Sequence, residues 1–130
     1  MILDTSFIID IMKNDKKAID KLEILIKSNE TLMITAPSIF ELFSGFARSS
    51  KPVDEKNKIL KVLRGQLIVH LDNDSAEKAG EIDGTLVREG KMIGPIDCMI
   101  SGIALIKKEK VLTRNAKDFS KIKDLEIETY

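Results

Sequence analysis

Met1-Ile2-Leu3-Asp4-Thr5-Ser6-Phe7-Ile8-Ile9-Asp10-Ile11-Met12 carries two different periodicities. An unbroken apolar run delivers the carboxylate of Asp4, hydroxyl residues follow, and from Phe7 the apolar side chains recur at 7, 8, 11 and 12, the spacing of a helix. The stretch predicts a buried strand that ends on an acid and turns directly into a helix. Strands covered on both faces read as continuous apolar runs, and open parallel sheets bind ligands just outside the carboxyl ends of their strands. Asp4 therefore either caps the following helix, as Asp often does, or opens a chemical site.

Working outward, strand-like runs recur at Leu32 to Thr35, Leu67 to Leu71, Val111 to Thr113 and, as an alternating edge strand, Leu125 to Thr129. Helical spacing lies between them. Ile19, Leu22, Leu25 and Ile26 mark one amphipathic helix, Ile39 to Arg48 a second, and Val53 to Leu63 a third that stops at Gly65. Asp74 with Glu77 reads as a capping box opening a helix through Ile82, Leu86 and Val87, stopped by Gly90. Gly94-Pro95 opens another with Ile96, Met99, Ile100, Ile103 and Ala104 on its apolar face, and Asn115 to Asp118 forms a polar turn before Phe119. Strands alternating with helices mean βαβ units: an α/β chain of three α/β/α layers around a mostly parallel sheet, with residues 1–130 as one domain.

Composition narrows the chemistry. A chain of 130 residues buries roughly two thirds of its unfolded surface without staples. One cysteine excludes an internal disulfide, and one histidine removes most zinc sites. There is no signal-peptide pattern and no apolar run of membrane-spanning length, so the expected compartment is the cytoplasm, with no membrane contact. With 21 basic and 21 acidic residues the net charge is zero, so any nucleic-acid contact rests on local charge or on a bound cation.

Acids or amides stand at strand ends and helix starts at Asp4, Glu41, Asp97, Asn115 and Asp118. Each has a structural explanation: Ser38-x-x-Glu41 matches a capping box, Asp97 lies where a helix dipole favours an anion, and Asp118 suits a short cap. Their apolar company is harder to explain. Ile96-Asp97-Cys98-Met99-Ile100 and Ile39-Phe40-Glu41-Leu42-Phe43 predict partly buried carboxylates, which need a partner. Ser44-Gly45 follows Glu41 and Ser101-Gly102 follows Asp97; a mid-helix glycine costs about 0.5–1 kcal/mol, so each marks either tight helix packing or the close approach of a ligand. Three carboxylates brought together would repel by about 4 kcal/mol per pair at 4 Å and moderate dielectric. Only protonation or a cation relieves this, and oxygen-only ligands favour Mg²⁺ or Mn²⁺, ions suited to hydrolysing phosphodiesters.

Four motifs in order, Met-Ile-Leu-Asp4-Thr-Ser, Ser38-x-x-Glu41-Leu, Gly94-Pro-Ile-Asp97 and Val111-Leu-Thr-Arg-Asn-Ala-Lys-Asp-Phe119, resemble the PIN-domain ribonucleases. Over essentially the whole chain the nearest resemblance is to the VapC-type toxins of toxin-antitoxin pairs. It implies a Mg²⁺-dependent endoribonuclease, Mn²⁺ being an alternative, with Asp4, Glu41 and Asp97 as the matching acids: Asp4 and Asp97 as metal ligands, and Glu41 as a further ligand or the residue that orients the attacking water. The family's fourth acidic position falls within Thr113 to Phe119, where Asn115 stands at the place of an Asp common in relatives and Asp118 follows three residues on. Either is a candidate for it.

The resemblance further implies a homodimer and an antitoxin whose helix fills an apolar groove and whose basic residue reaches the acids. Phe40, Phe43 and Phe46 are expected in the core or at such an interface. Ser6 and Thr113 are candidates to support the carboxylates by hydrogen bonds, and Arg114 and Lys117 to grip RNA phosphates. His70 and Cys98 are read as structural. A catalytically weakened PIN-like binding module is the competing reading, resting on Asn115. A phosphate-accepting regulatory domain fits poorly, because Ser6 stands where an Asp-x-Asp motif needs its second acid.

Overall fold

The computed structural model describes all 130 residues. The opening run forms β1 (Ile2–Leu3), and Asp4 leads into α1 (Thr5–Met12). Then come α2 (Lys16–Lys27), β2 (Met33–Thr35), α3 (Ala36–Ala47), α4 (Pro52–Leu63), β3 (Leu67–Val69), α5 (Asn73–Arg88), α6 (Pro95–Lys107), β4 (Val111–Leu112), the single-turn α7 (Ala116–Phe119) and β5 (Ile127–Glu128). The sheet order is β3-β2-β1-β4-β5 and every pairing is parallel. No helix is long and apolar enough to cross a membrane.

Alternation along each short strand builds two cores. Ile2, Met33, Val69 and Val111 face α5, α6 and α7, where Ile82, Leu86, Ile100, Ile103 and Phe119 cover them. Leu3, Ile34 and Leu112 point the other way, toward Phe7 and Ile8 of α1, Ala18 and Leu25 of α2, Leu42 of α3 and Ile59 of α4. This is the three-layer arrangement the sequence predicts. Each fully buried large apolar side chain contributes about 1.5–3 kcal/mol, so both faces of so short a sheet are anchored mainly by the helices.

Chain order explains where a site forms. From β1 the sheet grows through β2 to β3 on one side, and only then through β4 to β5 on the other. The switch between β1 and β4 leaves a crevice at the carboxyl ends of those two strands, and Asp4 and Thr113 are the residues that follow them.

The helix starts differ from the capping boxes read in the sequence. Asp72, not Asp74, caps α5, its carboxylate accepting from the Ser75 N–H at 2.9 Å, and this bond holds the Asp72 carboxyl below its ordinary value. Asp74 merely lies in the first turn. Thr35, not Ser38, caps α3: its hydroxyl accepts from the Ser38 N–H at 3.1 Å and meets the Ser38 hydroxyl at 2.9 Å. In both cases the helix begins as soon as the strand or its exit ends, so the first side-chain acceptor available becomes the cap. The expected polar turn at Asn115 to Asp118 is the start of α7.

The two mid-helix glycines have opposite surroundings. A Cβ on Gly102 would stand 2.5 Å from the Ser75 carbonyl oxygen, so Gly102 is where α6 packs against α5. Gly45 has nothing within 4 Å of such an atom. Gly45→Ala is therefore expected to raise unfolding stability by about 0.5–1 kcal/mol, read as a higher denaturant midpoint; a fall would show that the open space is needed by the fold itself.

Candidate active site

Asp4 follows β1 and stands at the N-cap position of α1, yet its side chain caps nothing. Its Oδ2 instead accepts from the Ser6 hydroxyl at 2.6 Å and from the Thr113 hydroxyl at 2.7 Å. Both hydroxyls in turn accept backbone N–H groups, Ser6 Oγ from Arg114 at 3.1 Å and Thr113 Oγ1 from Asn115 at 2.8 Å. The directions agree along the whole relay: two amides donate to two hydroxyls, which donate to one carboxylate oxygen. Asp4 is buried, its Oδ2 is spoken for, and its other oxygen takes no hydrogen bond within the chain.

Asp97 enters from α6, whose start is set by Pro95 in the first turn. It is half-buried, and its Oδ2 accepts from Asn115 Nδ2 at 3.4 Å. The same amide nitrogen donates to Asp118 Oδ2 at 3.1 Å, so Asn115 bridges the two acids. A position in the first turn of a helix normally favours the anion. Here the Asp97 carboxyl is pushed up to about 7, first by burial and then by the charges of Asp4, Glu41 and Asp118. Four acids, one following β1 and the others on α3, α6 and α7, therefore share one field.

Asp118 is held below its ordinary value, chiefly by the 2.7 Å contact from Lys121 and then by the Asn115 amide. Glu41 is exposed on α3 rather than partly buried, because its face of the helix turns away from Leu42 and the sheet. It makes no side-chain bond and reaches the others only through its charge. As the side chains lie, no three of the acids converge closely enough to cage an ion. The donor set is nevertheless all oxygen and over-charged, with Asp4 fixed and Glu41 free to turn, which fits a hard divalent cation rather than a soft one.

Arg114 and Lys117 flank this cluster. Lys117 is exposed. Arg114 is committed: its Nη1 contacts both carboxylate oxygens of Asp10 at 2.8 Å. Asp10, Tyr130 and Lys121 were not singled out from the sequence. An acid at Asp10 within Phe7-Ile8-Ile9-Asp10-Ile11-Met12 gives the same signal that marks Asp97, a carboxylate in apolar company. His70 is exposed after β3, and Cys98 is buried with its thiol pushed up to about 11 by that burial and by Asp83.

Beside Glu41 a cavity of about 230 Å³ opens between α1, α3 and α4, lined by Ile9, Met12, Leu42, Gly45 and Phe46 with Lys13 and Lys58 at its rim. Phe46 and Phe43 are half-buried and meet edge to face at 5.6 Å. Phe40, at 64% exposure, is the phenylalanine that faces outward.

Comparison with known proteins places relatives over nearly the full chain. The PIN domain family model matches residues 1–125. The tRNA(fMet)-specific endonuclease VapC of Salmonella typhimurium is 31% identical over 132 aligned residues, covering 98% of this chain and 96% of its own length. Ribonuclease VapC1 of Haemophilus influenzae is 30% identical over 125 residues, covering 95% and 92%. Among solved structures, VapBC2 of Rickettsia felis bound to a promoter DNA fragment superposes with a TM-score of 0.89 at 26% identity, covering 99% of this chain and 97% of the other.

Proposed function

Because the chain belongs to the PIN-domain family and to its VapC-type members, we propose that it is a divalent-metal-dependent endoribonuclease, the toxin of a toxin-antitoxin pair. The observation that carries the metal-dependent reading is Asp97, whose carboxyl is driven to about 7 by burial and then by the charges of three neighbouring acids. Asp4 and Asp97 are the ligands we assign to Mg²⁺ or Mn²⁺, with Glu41 either completing the set or orienting the attacking water. The bound ion supplies neutralisation of phosphate charge and a more acidic water.

The chain's own residues do the rest. Ser6 and Thr113 fix the orientation of Asp4, as the supports of ligating carboxylates do. Asn115 takes the fourth position by joining Asp97 to Asp118, while Lys121 keeps Asp118 anionic. Lys117, and those Arg114 nitrogens not held by Asp10, are suited to RNA phosphates.

The apolar cavity beside Glu41 supports the antitoxin part of the reading. Helix-in-groove recognition needs such a trough, and a basic residue of the partner would meet the acids at its end. Exposed Phe40 suits a second copy of the chain, giving a homodimer that works in the cytoplasm. A binding module with weakened turnover is the second reading, favoured by one observation: Asn115 places a donor where an acid would add charge.

Cleavage of a mixed RNA pool with Mg²⁺, with Mn²⁺ and with EDTA separates the two. The expected result is cutting that disappears in EDTA and returns with excess Mn²⁺. Cutting that persists in EDTA sinks the metal reading, and no cutting across a broad pool favours the binding module.

A further inference from the structure

We propose that Asp10 is a positioning residue of the acidic site: clasped by Arg114 and Tyr130, its carboxylate holds residues 113–115 against α1. The proposal rests on the metal-dependent reading above but concerns residues outside the acid cluster.

Asp10 is buried, at 4% exposure, in an otherwise apolar part of α1. A buried carboxylate is costly unless it is paired and hydrogen-bonded. Its partners come from far along the chain: Arg114 Nη1 at 2.8 Å to each oxygen, 104 residues away, and the Tyr130 hydroxyl at 2.7 Å to Oδ2, 120 residues away. Burial and the Asp10 contact push the Tyr130 phenol well above its ordinary value, so it stays a donor.

Helical spacing turns these contacts into a brace. Ser6 and Asp10 lie one turn apart on the same face of α1, and both hold Arg114, Ser6 by its backbone N–H at 3.1 Å and Asp10 by its guanidinium. Tyr130 likewise spans one turn, its ring edge-on to Phe7 at 4.8 Å and its hydroxyl on Asp10. Arg114, though its side chain is 62% exposed, is therefore tied to α1 at both its backbone and its guanidinium. The residues on each side of it are those that touch the acids: Thr113 donates to Asp4, and Asn115 to Asp97 and Asp118. A shift of Arg114 moves both contacts together. A fold-stabilising ion pair alone would have no such connection to the site.

The test uses the full chain with Asp10→Asn and Tyr130→Phe, the second keeping the ring on Phe7 and removing only the hydroxyl. Mn²⁺ affinity is measured by calorimetry, RNA cleavage in parallel, and folding by circular dichroism and melting. The amide of the first variant turns a donor toward Arg114. Folded Asp10→Asn is expected to bind Mn²⁺ about tenfold more weakly, as loss of outer support for metal ligands commonly does, and to lose kcat. Tyr130→Phe should show a smaller loss in the same direction, and Asp10→Glu, which restores the charge, should recover part of the Mn²⁺ affinity. If Asp10→Asn does not fold, Tyr130→Phe decides. Folded variants with wild-type Mn²⁺ affinity and kcat overturn the proposal. Wild type that binds Mn²⁺ but cuts no RNA defeats the nuclease reading alone, leaving the affinity ratio to decide the brace; wild type that binds no Mn²⁺ overturns both.

Discussion

Asp97→Asn is expected to abolish RNA cleavage and, in the metal-free protein, to raise the melting temperature above that of wild type at pH 8. The first effect follows from removing a proposed metal ligand: Lewis-acid catalysis is worth several kcal/mol, so a loss of about a thousandfold in kcat is the expected scale. The second follows from the field that Asp97 sits in. Its carboxyl is moved from an ordinary value of 3.8 to about 7 by burial and by Asp4, Glu41 and Asp118, so the folded protein holds that proton more tightly than the unfolded chain does. The stability linked to this proton is complete below about pH 4 and is lost as pH rises through about 7. An amide keeps the shape and the acceptor for Asn115 without the charge. Melting curves in EDTA at pH 5 and pH 8 check this: the gap between variant and wild type should widen at the higher pH. Identical slopes would mean that the acids do not share a field, and the site as described would fall with that result.

Among the seven glycines, Gly102 is where an added methyl group, as in Gly102→Ala, should do the most damage. The new Cβ would lie 2.5 Å from the Ser75 carbonyl oxygen, 2.8 Å from the Ala79 nitrogen and 3.0 Å from the Ala79 Cβ. The two closest atoms are backbone, so no rotamer change makes room and α6 must move away from α5. Overpacking of this kind costs about 1–3 kcal/mol, and rigid neighbours place the expected loss at the upper end, a fall of about 10 °C in melting temperature. Because α6 also carries Asp97, the same displacement should weaken Mn²⁺ binding. A variant that melts within about 2 °C of wild type would show that the helix pair is looser than its geometry implies.

The order of strands and helices was legible because each strand is short, apolar and alternately aimed, as Ile2 and Leu3 illustrate by entering different cores. Asp4 and Asp97 were legible for a different reason, being acids in apolar stretches at element boundaries. Ser44-Gly45 and Ser101-Gly102 look alike in sequence, yet one glycine faces open space and the other a helix backbone. Only tertiary packing separates them. Glu41 proved exposed because apolar neighbours along a helix do not bury every face. The caps slipped by two or three residues for want of an exact strand end, which Asp72 and Thr35 supply. The pairing of Asp10 with Arg114 and Tyr130 had no local signature, since its members lie more than a hundred positions apart.

The Thr113 hydroxyl that orients Asp4 lies 109 residues downstream of it, and β1 takes its place between β2 and β4 only when β4 exists. At translation speeds of 5–20 residues per second, roughly 5 to 20 s separate the synthesis of Asp4 from that of Thr113. Asp4 and Glu41 are made early, Asp97 and Thr113 late. The acids and the hydroxyl that orients Asp4 can therefore come together only after residue 113 has been made, so the cluster is among the last features of the fold to form.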